Sequence, residues 1–138
     1  MTKTKGQIEA AISEAIIKFE KDYMGRGPAE TKTYLVEDMV LVRMQGVITR
    51  AEQHLASAEN VEKGVELIKQ TRKVLIEKAR PFLEGAIQSI TGEGVKSLHM
   101  DLSTRTGEKV VVFTLNAIPR CLQEESADSA SPPPTSPA

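Results

Sequence analysis

The strongest constraint on this chain is one uninterrupted helical pattern, running from Val61 to about Thr91 with a proline inside it. Val61, Val65, Ile68, Leu75, Ala79, Phe82, Ala86 and Ile90 recur at steps mostly of three, four and seven residues, and Leu67, Val74, Leu83 and Ile87 widen the stripe. Gly64 and Gly85 each weaken such a helix by up to about 1 kcal/mol relative to alanine. Pro81 is the larger disturbance, because it lacks an N–H and its ring clashes one turn back. The pattern therefore predicts one long helix, kinked near residues 78–81 and ended by Gly92 and Gly94.

The segments on either side say what this helix packs on. Residues 6–23 carry a second helical stripe, with Ile8, Ala11, Ile12, Ala15, Ile16, Phe19 and Tyr23 on one face and Glu9, Glu14, Lys18 and Lys21 on the other. Ile17 lies off the stripe, which leaves room for a second contact, either within the fold or with a partner chain. "TKTYLVEDMVLVRMQG" reads as a β-hairpin turning at Glu37 and Asp38, with Val40, Val42 and Met44 on one face and Met39, Leu41 and Arg43 on the other. Thr49 and Glu52 form a capping box that opens a short helix over residues 50–57, and "SAEN" then breaks it. "VKSLHMDLSTRTGEKVVVFTL" is a second hairpin. Leu98, Met100 and Leu102 share a face, as do Val111, Phe113 and Leu115, and Gly107 is free to take a positive φ in the turn. Val110 and Val112 point the opposite way, which predicts a sheet covered on both sides, one cover being a second subunit.

The expected fold is α+β: an antiparallel four-stranded sheet from two β-hairpins with helices packed on it, in the order α-β-β-α-α-β-β. One domain over residues 1–118 accounts for all these elements. Over residues 119–138 the composition changes: "EESADSASPPPTSPA" has no large apolar side chain to offset the entropy of ordering, so a disordered Pro/Ser-rich tail is expected there. "PPPTSP" has the composition of a polyproline ligand as well as that of a plain solubilising tail. About 115 residues of domain are enough for one core. With aromatics at 4% and no tryptophan, that core is aliphatic.

Charge and cysteine content remove several classes of function. The net charge is −1, so no global basic field draws nucleic acid, and no nucleic-acid partner is expected. The single cysteine, Cys121, rules out an internal disulfide and multi-cysteine zinc sites, and reads as incidental. The first residues lack the apolar core of a secretory signal and no apolar run approaches the roughly 18 residues that span a bilayer, so a cytoplasmic protein without direct membrane insertion is expected. No catalytic set, cofactor or metal site is placed by spacing. His99 and Asp101 share a strand face and could pass a proton or simply form a surface hydrogen bond; His54 lies on the short helix. No phosphate-loop motif is present, and "GEG" at residues 92–94 follows a helix where a phosphate loop would precede one.

"GRGP" at residues 25–28 is the one corner with an unexplained residue. Gly25 can end the first helix with a positive φ, Gly27 can turn the chain again, and Pro28 forbids continuation. Arg26 between them either satisfies the carbonyls of the first helix or pairs with Asp22, or presents a planar pair of donors to an external carboxylate or phosphate. Arg43, Arg72 and Arg105 are further members of a possible anion-facing set.

These segments, in this order, resemble a known family. The N-terminal helix leading into "GRGP", the hairpin "DMVLVRMQGVIT" with "TRAEQHLA", the long helix with "KQTRKVLIEKARPFLE", then "ITG" and "SLHMDLSTRTGEKVVVFTL" are similar to the MpsC-like family of small bacterial proteins, over roughly residues 3–116. The resemblance implies a soluble, non-enzymatic accessory or regulatory protein of a sodium-translocating, membrane-potential-generating system, related to systems for inorganic-carbon uptake. Its partners would be membrane transport subunits, and it would sit in the cytoplasm or at the inner membrane through such a partner; the apolar outer face of the sheet and the first helix, read from the residues, add the expectation of a homodimer. No catalytic or metal-ligand set comes with the family. Its matching motifs make Gly25, Arg26, Gly27 and Pro28, and Ser103, Thr104, Arg105, Thr106 and Gly107, the first candidates for an interaction surface, with Arg43 and Arg72 beside them. The competing reading is a sensor of a small anion or nucleotide built on Arg26 and neighbouring arginines.

Overall fold

A computed structural model describes residues 3–57 and 61–122. The elements run α1 (Lys5–Met24), β1 (Glu30–Val36), β2 (Met39–Gln45), α2 (Arg50–Ala56), α3 (Val61–Thr91), β3 (Val95–Leu102) and β4 (Lys109–Leu115), in the order expected. The four strands form one antiparallel sheet in the order β1-β2-β4-β3, so the second hairpin adds to the first through β4.

Local chemistry sets the ends of these elements. Thr4 caps α1 with its hydroxyl on the Gln7 N–H while the Gln7 side chain returns the bond, and Gly25 closes the helix at φ 80°. Thr49 and Glu52 make the same reciprocal cap on α2. The β1–β2 turn falls on Glu37 and Asp38 as expected, with Glu37 at φ 55°, a conformation that costs any residue with a Cβ. The expected break at "SAEN" falls mostly on residues 58–60, outside the described residues.

Helices α1 and α3 lie together on one face of the sheet, and α2 packs on α3. Between the layers sit Ile8, Ile12, Ile16 and Phe19 from α1, Val40, Val42 and Met44 from β2, and Val111, Phe113 and Leu115 from β4, all buried. Each contributes about 1.5–3 kcal/mol of transfer free energy. Helix α1 also guards the β1 edge: the Leu35 N–H donates to Glu9 Oε2 at 2.9 Å, and the Ser13 and Thr33 hydroxyls meet at 2.8 Å.

Three expectations change. The buried line of α3 is Gly64, Ile68, Arg72, Ile76, Ala79, Leu83, Ile87 and Thr91, whereas Val61, Leu67, Val74 and Phe82 are exposed. The helix is rotated from the most hydrophobic stripe because α2 presses on it at Gly64, where an added Cβ would meet the Leu55 carbonyl oxygen at 1.9 Å. Tyr23, assigned to the stripe of α1, is half exposed and lies between the rings of Phe19 and Phe82. The helices cover one face of the sheet, in agreement with the expected layer, and within one chain the other face is bare, with Tyr34, Val36 and Met39 exposed. Cys121 is not incidental: with Pro119 it is buried, and Leu122 packs against the core, so the domain continues past residue 118. The expected disorder of the tail otherwise falls on residues 123–138, outside the described residues.

Candidate functional site

Two of the segments singled out in the sequence meet at one end of the sheet, around the loop of residues 46–49. From the α1–β1 corner, Arg26 Nη1 donates to the Ile48 carbonyl at 3.0 Å. From the β3–β4 turn, the Gly107 carbonyl accepts from the Val47 N–H at 3.3 Å. Arg26 therefore neither satisfies the carbonyls of α1 nor pairs with Asp22, but ties two loops together while remaining largely exposed. Gly25 has the positive φ expected of it; Gly27 does not, and an added Cβ there would meet only the flexible Lys21 side chain. Pro28 leads into β1.

The β3–β4 turn is held by its own chain. The Ser103 N–H donates to the Glu108 carbonyl and the Gly107 N–H to the Ser103 carbonyl, each at 2.8 Å. Gly107 is at φ 76°, and its position is crowded only at van der Waals distance by Ile48 and Gly46. Ser103 Oγ and Thr106 Oγ1 accept from N–H groups within the turn. Arg105 and Thr106 are exposed, Ser103 and Thr104 half-buried. Beside the turn lies an open cleft of about 360 Å³ whose polar lining is Lys69, Asp101, Ser103, Thr104, Arg105 and Glu108.

Arg43 joins the turn from the bare face of the sheet. Its Nε donates to Glu108 Oε2 at 2.8 Å, and Gln45 Nε2 donates to the same oxygen at 3.0 Å. The Arg43 bond first, and then that of Gln45, hold the Glu108 carboxyl below its ordinary range. Arg43 thus arrives already paired.

Arg72 is misplaced in the anion-facing set. It is 2% exposed, beneath the loop, where Nη2 donates to the Val47 carbonyl at 2.8 Å and the guanidinium grips Glu52 through Nε at 2.7 Å and Nη2 at 2.6 Å. It faces inward because it occupies the line of α3 that rests on the core, so it offers nothing to a partner. Burial works to raise the Glu52 pKa, but the bonds from Arg72 and from the Thr49 N–H outweigh it and the carboxyl ends below its ordinary range.

A second buried pair lies in the same interior, and sequence reading missed it. Lys109 Nζ donates to Glu20 Oε1 at 2.7 Å, with both side chains 1% exposed. Burial pushes the Lys109 ammonium below its ordinary pKa, with Glu20 opposing, and both Arg72 and Glu52 are close enough to be felt. Glu20, Lys109 and Arg72 are buried and Glu52 half-buried, so two acids and two bases lie close together at the base of the loop, and Glu20 Oε2 and Arg72 Nη1 are left without hydrogen-bond partners. The signal was positional: Glu20 follows Ile8, Ile12 and Ile16 at steps of four, and Lys109 precedes Val111, Phe113 and Leu115 at steps of two.

The remaining candidates stay apart from this end. His54 is exposed on α2. Asp101 accepts from the Leu102 N–H at 2.8 Å and pairs with Lys69 at 3.3 Å, and among the described residues no hydrogen bond joins it to His99. The Leu102 bond first, with Lys69 behind it and slight burial opposing, lowers the Asp101 pKa. Among the described residues no group of three or more His, Cys, Asp or Glu side chains is placed to hold a metal ion, and no helix is long and apolar enough to cross a membrane. What the end of the sheet offers is a rigid, polar surface of loops braced from below by buried ion pairs.

Residues 4–117 match the family described as "Na+-translocating membrane potential-generating system (MpsC)". The uncharacterized protein YbcI of Bacillus subtilis (strain 168) is 47% identical over 115 residues, which is 83% of this chain and 90% of that protein. No solved structure is a significant match. With nearly all its described fold inside the matched span, the chain belongs to the MpsC family.

Proposed function

We propose that the chain is a non-enzymatic accessory or regulatory component of a sodium-translocating, membrane-potential-generating system of the kind linked to inorganic-carbon uptake. It works in the cytoplasm, at the inner membrane through a membrane-embedded partner subunit. The observation that carries this reading is the match to that family along residues 4–117. The character of the candidate site supports it: two family motifs, at residues 25–28 and 103–107, are joined through one loop into a single exposed end. That end presents the Arg26 and Arg105 side chains on a fixed backbone, which suits contact with an acidic loop of a partner.

The test is the sodium-dependent membrane potential of native cells, read with a potential-sensitive dye, in a strain lacking the chain. The reading expects the potential to fall on deletion, to return with the wild-type gene and to stay low with Arg105→Glu, whose purified protein melts at the wild-type temperature. A deletion strain with an unchanged potential refutes the proposal. So does full complementation by a protein that binds no membrane subunit in a pull-down from gently solubilised membranes.

A further inference from the structure

The bare face of the sheet is not built for water. An antiparallel sheet with one solvated face ordinarily alternates apolar inward and polar outward. Here the inward side is apolar and the outward side is apolar at its centre too, with Tyr34, Val36, Met39, Leu41, Val110 and Val112. The register places them next to one another: Tyr34 beside Leu41 and Leu41 beside Val112, Val36 beside Met39, and Val110 one step along β4. A contiguous apolar patch of this kind on a folded domain marks an interaction surface.

We propose that this face is where two copies of the chain associate, sheet against sheet, independently of the function proposed above. The area is sufficient. Four strands about 4.8 Å apart and seven residues long at about 3.4 Å each give a face of roughly 19 by 24 Å. With side chains that is about 600–800 Å² accessible per copy, so that a pair buries about 1,200–1,600 Å², inside the range of stable interfaces. The segment beyond residue 122 is a poor occupant. It has no large apolar side chain, and the chain leaves from the opposite layer, where Cys121 shares a cleft with Ile8 of α1 and Ile90 of α3.

Charge selects the orientation. Across the outer face, one row runs Lys32, Arg43, Val110, Asp101, and the next runs Tyr34, Leu41, Val112, His99. A two-fold axis parallel to the strands, between β2 and β4, lays β1 on β3 of the second copy and β2 on its β4 while keeping each row in register. Lys32 then faces Asp101 of the second copy, twice by symmetry, and Leu41 faces Val112 of the second copy. A two-fold axis perpendicular to the strands instead sets both Lys32 and Arg43 against Val36 and Met39, burying two charges on apolar surface, whereas the parallel axis leaves only Arg43, already paired with Glu108, over an apolar neighbour, Val110 of the second copy. Among the described residues the ion pairs of Lys32 and Asp101 within one chain are surface ones, with Glu30 at 3.4 Å and Lys69 at 3.3 Å.

Sedimentation equilibrium of the full chain at micromolar concentrations tests the proposal. The expected mass is twice the 15.1 kDa of one chain. Leu41→Lys, an outward change that leaves the core alone, is expected to weaken association by about a hundredfold or more while the circular dichroism stays that of the wild type. Val112→Lys serves as a second variant should the first fail to fold. Lys32→Glu is expected to weaken association about tenfold and the pair Lys32→Glu with Asp101→Lys to restore it. A monomeric wild type overturns the proposal, as does a dimer that both lysine variants leave intact, which would place the contact on the helix layer or on another partner's surface. Failure of the double charge reversal to restore association overturns the stacking of β1 on β3.

Discussion

Lys109→Met is the sharpest test of the interior described above. The Lys109–Glu20 contact is 2.7 Å long and both side chains are 1% exposed, so water screens it little. At an effective dielectric near 20 the attraction is about 6 kcal/mol. Removing the two ions from water costs several kcal/mol each, so the pair as a whole is worth close to nothing against an apolar pair of similar size. Its loss on one side is another matter. The pair is minimally satisfied, with a single bond from Lys109 to Glu20, the Phe19 ring 5.9 Å from Nζ and the second Glu20 oxygen already without a partner. Lys109→Met strands the carboxylate in the core, and the expected cost is about 3–5 kcal/mol. For a domain of about 115 residues that lowers the melting temperature by roughly 12–20 °C. Adding Glu20→Leu removes the stranded charge, and the double variant is expected within about 2 kcal/mol of wild type, which makes the coupling between the two sites large. Urea unfolding followed by circular dichroism measures all four corners of the cycle. A harmless single variant, or a double variant whose loss is the sum of the singles, would falsify the buried-pair account.

Four further outcomes follow from particular contacts. Gly64→Ala drives a methyl group to 1.9 Å from the Leu55 carbonyl oxygen and is expected to destabilise by about 1–3 kcal/mol despite alanine's helix propensity, while Gly85→Ala, with open space around it, is expected to stabilise by up to about 1 kcal/mol in the same thermal melts. Because the Glu52 pKa is lowered on folding, its contribution is complete above the unfolded value of about 4.3 and is lost as pH falls through the lower folded value. The urea midpoint of Glu52→Gln should therefore start lower and fall less between pH 5 and pH 3 than that of the wild type; a parallel fall refutes the assignment. Glu37→Gly relieves the φ of 55° in the β1–β2 turn and is expected to raise stability by about 1 kcal/mol or less, read as a small rise in melting temperature. Arg72→Leu is expected to speed amide exchange in α2 and in residues 46–49 more than in β2 or β4, because Glu52 and the Val47 carbonyl lose the same partner; uniform acceleration across the domain argues against a local brace.

The order of elements was legible because its signals are local. Steps of 3.6 and 2, the Thr49–Glu52 cap, Gly25 and Gly107 each depend on a few neighbouring residues. The rotation of α3 was not. Hydrophobicity selects Val61, Leu67, Val74 and Phe82, yet the buried line contains a glycine and an arginine, since a second helix presses on Gly64 and Glu52 of that helix reaches Arg72. No neighbouring residue in sequence announces either contact. The same blindness hid Glu20 and Lys109, since a charged residue at a stripe position reads as an interruption of the stripe until its opposite is known to lie across the core, 89 residues away.

The buried charges and the exposed corner are one arrangement seen from two sides. Helix α2 buries no residue of its own, so apolar packing alone cannot set its position. What sets it is directional: the Arg72 guanidinium takes Glu52 through two nitrogens and the Val47 carbonyl through one of them, which fixes helix and loop at a single angle. That loop in turn receives Arg26 at Ile48 and gives the Val47 N–H to Gly107, so the corner and the turn inherit their spacing from a residue neither of them contains. A leucine at position 72 would fill similar space without donating to Val47, and the surface above would keep its residues while losing their geometry. Arg72, the one arginine of the four that cannot meet a partner, is for that reason the one on which the placement of Arg26 and the β3–β4 turn depends.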